Sequence, residues 1–266
     1  MLHWKCFLGL AWVFCTASLV HPQQRSSVFA FGAGNHPGAS QSTWLNVLET
    51  SPNYFFWAGS FSPGSPVSGR DLDRLLQKQA ENKHYRLFAD SIPISGSWYW
   101  TTPPLVSNDS LDDWHHKWFS FVQGLNQAWP GKSYWAQWLV FGKDSVQCIF
   151  LDTWRFARPG EPDNNLLGEE QWNWLEQALA QPHKKLRLIF TAKSFFWEQN
   201  KGDSWHSFPP ARARFAALLE KAKGPLLLVS GSHPCAAVAL GDVGKRRVAE
   251  LQTNGLNQVR WRLGRT

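Results

Sequence analysis

Polar residues that could act on a ligand stand in or beside short loops that follow apolar, strand-like runs. They are Asn35, His36, Asn108, Asp109, Asp152, His233 and Asn257. The amides of Asn35 and Asn257 could orient a ligand through hydrogen bonds, although asparagine in loops commonly bonds to the loop backbone instead. For Asp152, holding neighbouring loops together is a better fit than a role in a reaction. These residues mark a candidate ligand crevice and leave its chemistry open.

Ser232 and His233 suggest one specific chemistry, that of a serine hydrolase in which Asp152 orients the histidine. Two adjacent residues rarely present both side chains to one reacting atom, and no nucleophile-elbow sequence surrounds Ser232. The serine hydrolase interpretation is therefore disfavoured. No cysteine and histidine spacing typical of a zinc site occurs either. A second histidine pair, His115 and His116, falls in a helix-like run and is predicted to face solvent.

The elements that must position these loops alternate between strand-like and helix-like runs. Strands are predicted at 28–33, 53–59, 147–152, 186–191, 226–229, 236–240 and 248–253. Helices are predicted at 42–48, 71–80, 111–129, 168–179 and 210–223. This alternation predicts a layered α/β domain. Ligands bind such sheets beyond the carboxyl ends of the strands. The loops that follow these strands should therefore converge on one crevice if the strands are parallel neighbours; these loops lie at Asn35, Ser60, Asp152, Thr191 and Ser232.

The amino-terminal segment has the pattern of a secretory signal peptide. Lys5 precedes an apolar run over 7–14, and small residues follow it. The run is too short for a stable membrane span, and no other stretch is apolar for long enough. We therefore expect an exported protein, periplasmic or extracellular. Residues 1–22 would form the signal peptide and a short linker, and residues 23–266 one domain.

Composition narrows the possible partners. The chain has a net charge of +7, a pI near 9.4 and 17 tryptophans. A basic surface attracts anionic ligands, but no dense run of lysine and arginine and no known motif indicates nucleic-acid binding. Two cysteines lie outside the signal segment, Cys148 and Cys235. An exported protein could pair them, but Cys148 falls in an apolar strand and is favoured as a buried free thiol.

Eight short motifs occur in a fixed order along the chain. They are 29–36, 56–59, 93–98 with 108–109, 151–153, 167–175, 205–214, 230–231 and 253–257. In this order they resemble the PhoD-like alkaline phosphatase family, a branch of the metallophosphoesterases. The resemblance covers nearly the whole chain after the signal segment, and 151–153 and 167–175 are its most specific parts. It implies a layered metallophosphoesterase-like β-sandwich flanked by helices, and hydrolysis of phosphate esters with divalent or ferric ions.

The positions of the family's metal ligands hold other residues in this chain. Gly34 stands in the first loop, where the family has a serine–cysteine pair, and Ser60 and Ser232 replace aspartates. Tyr99 and Trp100 occupy the acidic, histidine-containing run of the third loop. A two-metal phosphoesterase needs several carboxylates and imidazoles to hold its cations and activate water. The resemblance therefore predicts a degenerate site with no metal and no other cofactor.

Three functions remain open at this point. The first is an inactive, exported pseudophosphatase, and the second is an active phosphatase or phosphodiesterase with a rebuilt metal site. The third is an envelope-associated binder of anionic or carbohydrate ligands. The binder would use an aromatic cleft, and six tryptophans fall beside the site-forming segments: Trp57, Trp98, Trp100, Trp154, Trp197 and Trp205. Because tryptophan so often fills a core, core packing is favoured for these rings.

Overall fold

Two β-sheets packed face to face form the centre of the protein, and helices cover their outer faces. The computed structural model describes residues 27–59, 68–96, 108–123, 131–141, 144–158, 160–161, 164–181, 185–198, 204–231, 236–253 and 255–256, with the backbone alone at 108–111 and 123. The architecture confirms the predicted layered α/β sandwich.

The smaller sheet contains three parallel strands in the order β1-β2-β3. These are β1 (Phe29–Gly32), β2 (Tyr54–Trp57) and β3 (Ile94–Gly96). Its helices are α1 (Thr43–Glu49), α2 (Gly69–Ala80), α3 (Lys83–Ser91) and α4 (Asn108–Gln123). Helix α3 was not predicted. It begins three residues after α2 ends, because the Asn82 side chain accepts hydrogen bonds from the backbone of His84 and Tyr85 and caps a new helix there.

The larger sheet contains six strands in the order β4-β5-β6-β7-β9-β8. These are β4 (Trp135–Phe141), β5 (Asp144–Phe150), β6 (Arg187–Ala192), β7 (Leu226–Ser230), β8 (Ala237–Val243) and β9 (Arg246–Gln252). The four inner strands are parallel, and the two outer ones pair antiparallel to their neighbours. Helices α5 (Glu169–Ala180) and α6 (Pro209–Lys221) pack on its outer face. Strand β4 was not predicted.

Aromatic rings fill the space between the two sheets. Phe56 of the smaller sheet lies 5.0 Å, centroid to centroid, from Phe190 of the larger sheet. Phe190 in turn stacks on Phe150 at 4.6 Å. Cys148 lies in the same layer as a buried free thiol, and burial raises its pKa. The interpretation of Cys148 as a small hydrophobic residue is therefore confirmed, while Cys235 lies outside the described residues.

Candidate functional site

The carboxyl ends of β1, β2 and β7 meet at one point between the two sheets. A Cβ atom placed on Gly59, just after β2, would lie 2.8 Å from the Cα of Gly231, just after β7. A Cβ atom on Gly231 would lie 2.6 Å from the Cβ of Ala33, just after β1. These distances are shorter than any side chain tolerates, so the three loops touch through their backbones. The predicted convergence is therefore shown for three of the five loops, and these three come from both sheets.

Three of the positions that hold other residues in place of the family's metal ligands come directly after the residues that touch here. Gly34, Ser60 and Ser232 directly follow Ala33, Gly59 and Gly231 in the sequence. Gly34 is buried. The other two, together with further predicted site residues, lie outside the described residues: Ser60, Tyr99, Trp100, Ser232, His233 and Asn257. Asn108 and Asp109 form the first turn of α4, where the structure describes only the backbone.

The contact at Gly231 gives a prediction about stability. Gly231→Ala should lower the free energy of unfolding by about 2 to 3 kcal/mol, because the added methyl group meets Ala33 and the backbone of Ala58. Gly69→Ala is the matched control, since its nearest neighbouring atom would lie 3.6 Å away and its effect should stay within about 0.5 kcal/mol. Urea unfolding followed by tryptophan fluorescence measures both. Equal effects in the two variants would contradict the close approach of the loops.

Asn35 is fully buried and ties the loop after β1 to the helices above it. Its amide Nδ2 donates to Oε1 of Gln79 in α2 at 2.7 Å. The Gln79 amide donates to Gln41 at 3.1 Å, and Gln41 Oε1 also accepts from the indole of Trp44 at 2.5 Å. This buried chain of amides fixes the loop against α1 and α2. The bond to Gln79 is a side-chain contact with a neighbouring helix.

His36 lies in an exposed turn directly after Asn35. Its Nδ1 accepts a hydrogen bond from the backbone N–H of Gly38 at 3.0 Å. Its carbonyl accepts from the Gln41 side chain at 2.9 Å. The imidazole therefore stabilises the turn. The two neighbouring candidates for ligand binding differ in exposure, because Asn35 is buried and His36 is exposed.

Asp152 is buried at the carboxyl end of β5, where it organises its own loop. Its Oδ1 accepts hydrogen bonds from the backbone N–H groups of Trp154 and Arg155 at 2.9 and 3.0 Å. Its backbone is held from α5, because Gln171 accepts from the Asp152 N–H at 2.9 Å and donates to the Asp152 carbonyl at 3.0 Å. These contacts are those of a loop-fastening residue.

The prediction that both His115 and His116 face solvent is wrong for His115. Its side chain is buried, whereas His116 is exposed as expected. The His115 Nε2 lies 3.5 Å from the second carboxylate oxygen of Asp152. Burial lowers the pKa of His115 to about 4, outweighing the opposite effect of the Asp152 charge. The missed signal is helical spacing, since Trp118 and Phe119 lie three and four residues further on and are buried on the same face.

Tryptophans of the proposed cleft are core residues wherever the structure shows them in full. Trp57, Trp154 and Trp205 are at most 1% exposed. Trp57 packs edge to face on Trp44 at 5.5 Å, and Trp205 stacks on Phe215 at 4.5 Å. The core interpretation is therefore confirmed for these three rings. Trp197 is half-buried, while Trp98 and Trp100 lie outside the described residues.

Glu250 is a buried carboxylate that the sequence did not single out. It lies in β9 and fastens the loop after β6, accepting from the backbone N–H groups of Phe195 and Phe196 at 2.9 and 2.8 Å. The hydroxyl of Ser230 donates to it at 2.7 Å. Burial raises the pKa of Glu250, against the opposite effects of these hydrogen bonds and of the Gln252 side chain. All its described bonds are internal, which indicates a structural role.

The side chains described around the crevice do not fit a metal pair. One carboxylate oxygen of Asp152 already accepts hydrogen bonds from two backbone N–H groups, and the Asn35 amide donates to Gln79. Among the residues that the structure describes, no group of three or more histidine, cysteine, aspartate or glutamate side chains is placed to hold a metal ion. A phosphatase metal pair needs a larger set of such donors.

Comparisons with known proteins bear on the fold. No protein-family model and no curated protein matches the sequence. Among solved structures, one match is GAP50, described as the anchor in the inner membrane complex of Plasmodium. It is 13% identical, with a TM-score of 0.57 over 88% of this chain and 74% of that one. A dimetal phosphatase from Danio rerio is 10% identical, with a TM-score of 0.54 over 87% of this chain and 89% of that one.

At these identities the likeness concerns the fold alone. The chain has a metallophosphoesterase-like fold, as the sequence predicted. Within the described residues, no helix has the length and apolar character needed to cross a membrane.

Proposed function

We propose that this chain is an exported, PhoD-like protein whose phosphatase site is degenerate, and that it acts as a binding or interaction module. One observation carries the proposal. Where β1, β2 and β7 touch, the next residues are Gly34, Ser60 and Ser232. None of the three offers a carboxylate or an imidazole, so these three positions do not supply the charge that two cations require.

The solved structures of similar fold carry different descriptions. One of them is a dimetal phosphatase, and another is a protein described as an anchor. A fold of this type is therefore not tied to one activity, and function has to be argued from the residues of the site. In this chain those residues favour the binding role.

The alternative is an active hydrolase with a rebuilt metal site. It would need Asp109, Asp152 and His233 to act together on one substrate or cation. The structure describes the side chain of Asp152 alone among these, and both its oxygens face groups inside the protein. The alternative would therefore require the Asp152 loop to give up these contacts.

Metal analysis and hydrolysis assays on the same preparation test the proposal. We expect far less than one equivalent of iron, zinc or calcium per chain, and no turnover of nitrophenyl phosphomonoesters or phosphodiesters above the buffer rate. Asp152→Asn is the control variant, since any genuine activity of a rebuilt site should fall in it while a contaminant's activity would not. Stoichiometric metal together with turnover that Asp152→Asn abolishes would refute the proposal.

A further inference from the structure

The amino-terminal edge of the larger sheet carries an excess of positive charge. Strands β5, β6, β7 and β9 are parallel and begin at this edge, while β8 ends there. The charged residues described at these strand ends, in the connections beside them and at the ends of α5 and α6 are seven basic and three acidic: Lys185, Arg187, Lys221, Lys223, Lys245, Arg246 and Arg247, with Asp144, Glu220 and Asp242. The whole chain has a net charge of +7. Lys143, His183 and Lys184 belong to the same connections in the sequence but lie outside the described residues.

Two of the arginines turn into the protein and cover the carboxyl ends of the outer helices. Arg246 donates to carbonyl groups at the end of α6, and the fully buried Arg187 donates to carbonyl groups at the end of α5 and before β7. These carbonyls belong to Leu219, Ala222 and Gly224 for Arg246, and to Leu179, Gln181 and Lys223 for Arg187. The carboxyl end of a helix carries a negative charge of about half an electron. The two guanidinium groups are therefore enough to balance both helices.

Two further cations are balanced by neighbouring carboxylates. Lys185 pairs with Asp144 at the start of β5. Arg247 donates to both carboxylate oxygens of Asp242 on the paired strand β8, at 3.0 and 3.1 Å. These four side chains add no net charge to the edge.

Three exposed lysines remain, and we call them the basic edge: Lys221, Lys223 and Lys245. Lys221 ends α6, Lys223 follows two residues later, and Lys245 lies in the turn between β8 and β9. None of them forms an ion pair with another described residue. Glu220 offsets one of these charges, and its carboxylate accepts the backbone N–H of Lys245 at 2.9 Å. This bond ties the turn to the end of α6, so the three ammonium groups stand on elements that are fixed to each other.

We propose that the basic edge binds a linear anionic polysaccharide, one whose sugars carry carboxylate or sulfate groups. Neighbouring strands of a sheet lie about 4.8 Å apart, and Lys223 and Lys245 precede the neighbouring strands β7 and β9. Cations spaced along a sheet edge match a polymer with negative groups along its length, whereas a single small anion needs donors that converge on one point. Lysine ammonium groups are point charges on flexible stems, which suits contacts of this kind.

Two other anionic partners match these residues less well. Proteins that bind single-stranded nucleic acid stack the bases on aromatic side chains, and residues 219–226 and 242–248 include no aromatic residue. Stable attachment to an anionic bilayer needs an apolar or lipid anchor in addition to basic residues, and the leucine and valine side chains of these two segments are buried. The inference adds a ligand class to the proposed binding role, but it does not depend on the absence of catalysis.

Anisotropy of fluorescein-labelled heparin, titrated with the full chain at several salt concentrations, tests the inference. We expect saturable binding that weakens as salt is raised, since ammonium groups that contact the polymer displace its counterions. Replacing the three lysines together, as Lys221→Gln, Lys223→Gln and Lys245→Gln, should weaken binding at least about tenfold at low salt and reduce the salt dependence. Polygalacturonate, whose charges are carboxylates, should compete with heparin for the native chain, and neutral dextran should not.

The matched control replaces three exposed cations of α2 and α3, as Lys78→Gln, Lys83→Gln and Arg86→Gln. It removes the same charge and should change the affinity by less than about twofold, because distant charges are screened by salt. Urea unfolding should show that both triple variants are folded.

Two results would overturn the inference directly. One is a lack of binding to both polysaccharides, and the other is equal weakening in the two triple variants, which would mean that net charge alone attracts the polymer. Tighter binding to single-stranded DNA or to phosphatidylserine vesicles than to either polysaccharide, at equal charge concentration, would also overturn it. None of these results changes the metal content or turnover of the chain, so the inference and the proposed function can fail separately.

Discussion

Replacing Glu250 with alanine is expected to lower the free energy of unfolding by about 4 kcal/mol, since each buried donor left without an acceptor costs roughly 1 to 3 kcal/mol. Three donors depend on this carboxylate: the backbone N–H groups of Phe195 and Phe196 and the hydroxyl of Ser230. The glutamate itself has no exposed surface, so water cannot take its place without opening the sheet.

Two further variants serve as controls for Glu250→Ala. Glu176→Ala removes an exposed glutamate from α5 and should change stability by no more than about 0.5 kcal/mol. Glu250→Gln keeps one oxygen that can accept from Phe195 and Ser230 and turns its NH₂ group only towards Phe196, so its cost should be smaller than that of alanine. Guanidinium unfolding with fluorescence detection measures all three. If Glu250→Ala costs no more than Glu176→Ala, the carboxylate does not hold the loop after β6.

The role of Glu250 shows which part of this structure the sequence could not reveal. Phe195 and Glu250 are 55 residues apart, and their contact depends on how β6 and β9 are ordered in the sheet. Local patterns predicted most of the strands well, because buried strands such as β6 and β7 are continuous apolar runs. The pairing order of those strands is a global property that no local window contains.

The candidate site likewise has features that the sequence could predict and features that it could not. That loops after strands converge could be predicted, because parallel strands bring their carboxyl ends to one edge of a sheet. That the loops at Ala33, Gly59 and Gly231 come from two different sheets could not. The partners of the polar residues in those loops could not. The buried amide chain of Asn35 requires α2 to lie against the loop after β1, and the contact of Asp152 with His115 requires α4 to cover the end of β5.

The acid sensitivity of the fold is expected to depend strongly on His115. Burial lowers the pKa of His115 to about 4 in the folded chain. The charge of Arg155 also lowers this pKa, and the charges of Asp152 and Asp112 raise it without cancelling the effect of burial. An unfolded histidine titrates near 6.5, so between pH 6.5 and 4 the unfolded chain binds a proton that the folded chain does not. The free energy of unfolding should therefore fall as the pH drops through this window, by about 2 kcal/mol between pH 7.5 and pH 5 from this group alone.

The test compares two neighbouring histidines that differ in burial. His115→Gln cannot titrate, so its free energy of unfolding should fall less than that of the native chain between pH 7.5 and pH 5, even if it is less stable at both values. His116→Gln, an exposed neighbour, should keep the native slope. Because His115→Gln retains every other titrating group, the difference between its slope and that of the native chain isolates His115. Equal slopes would mean that α4 does not bury this imidazole against Asp152, and that the end of β5 is open to water where the contacts of Asp152 place it inside the protein.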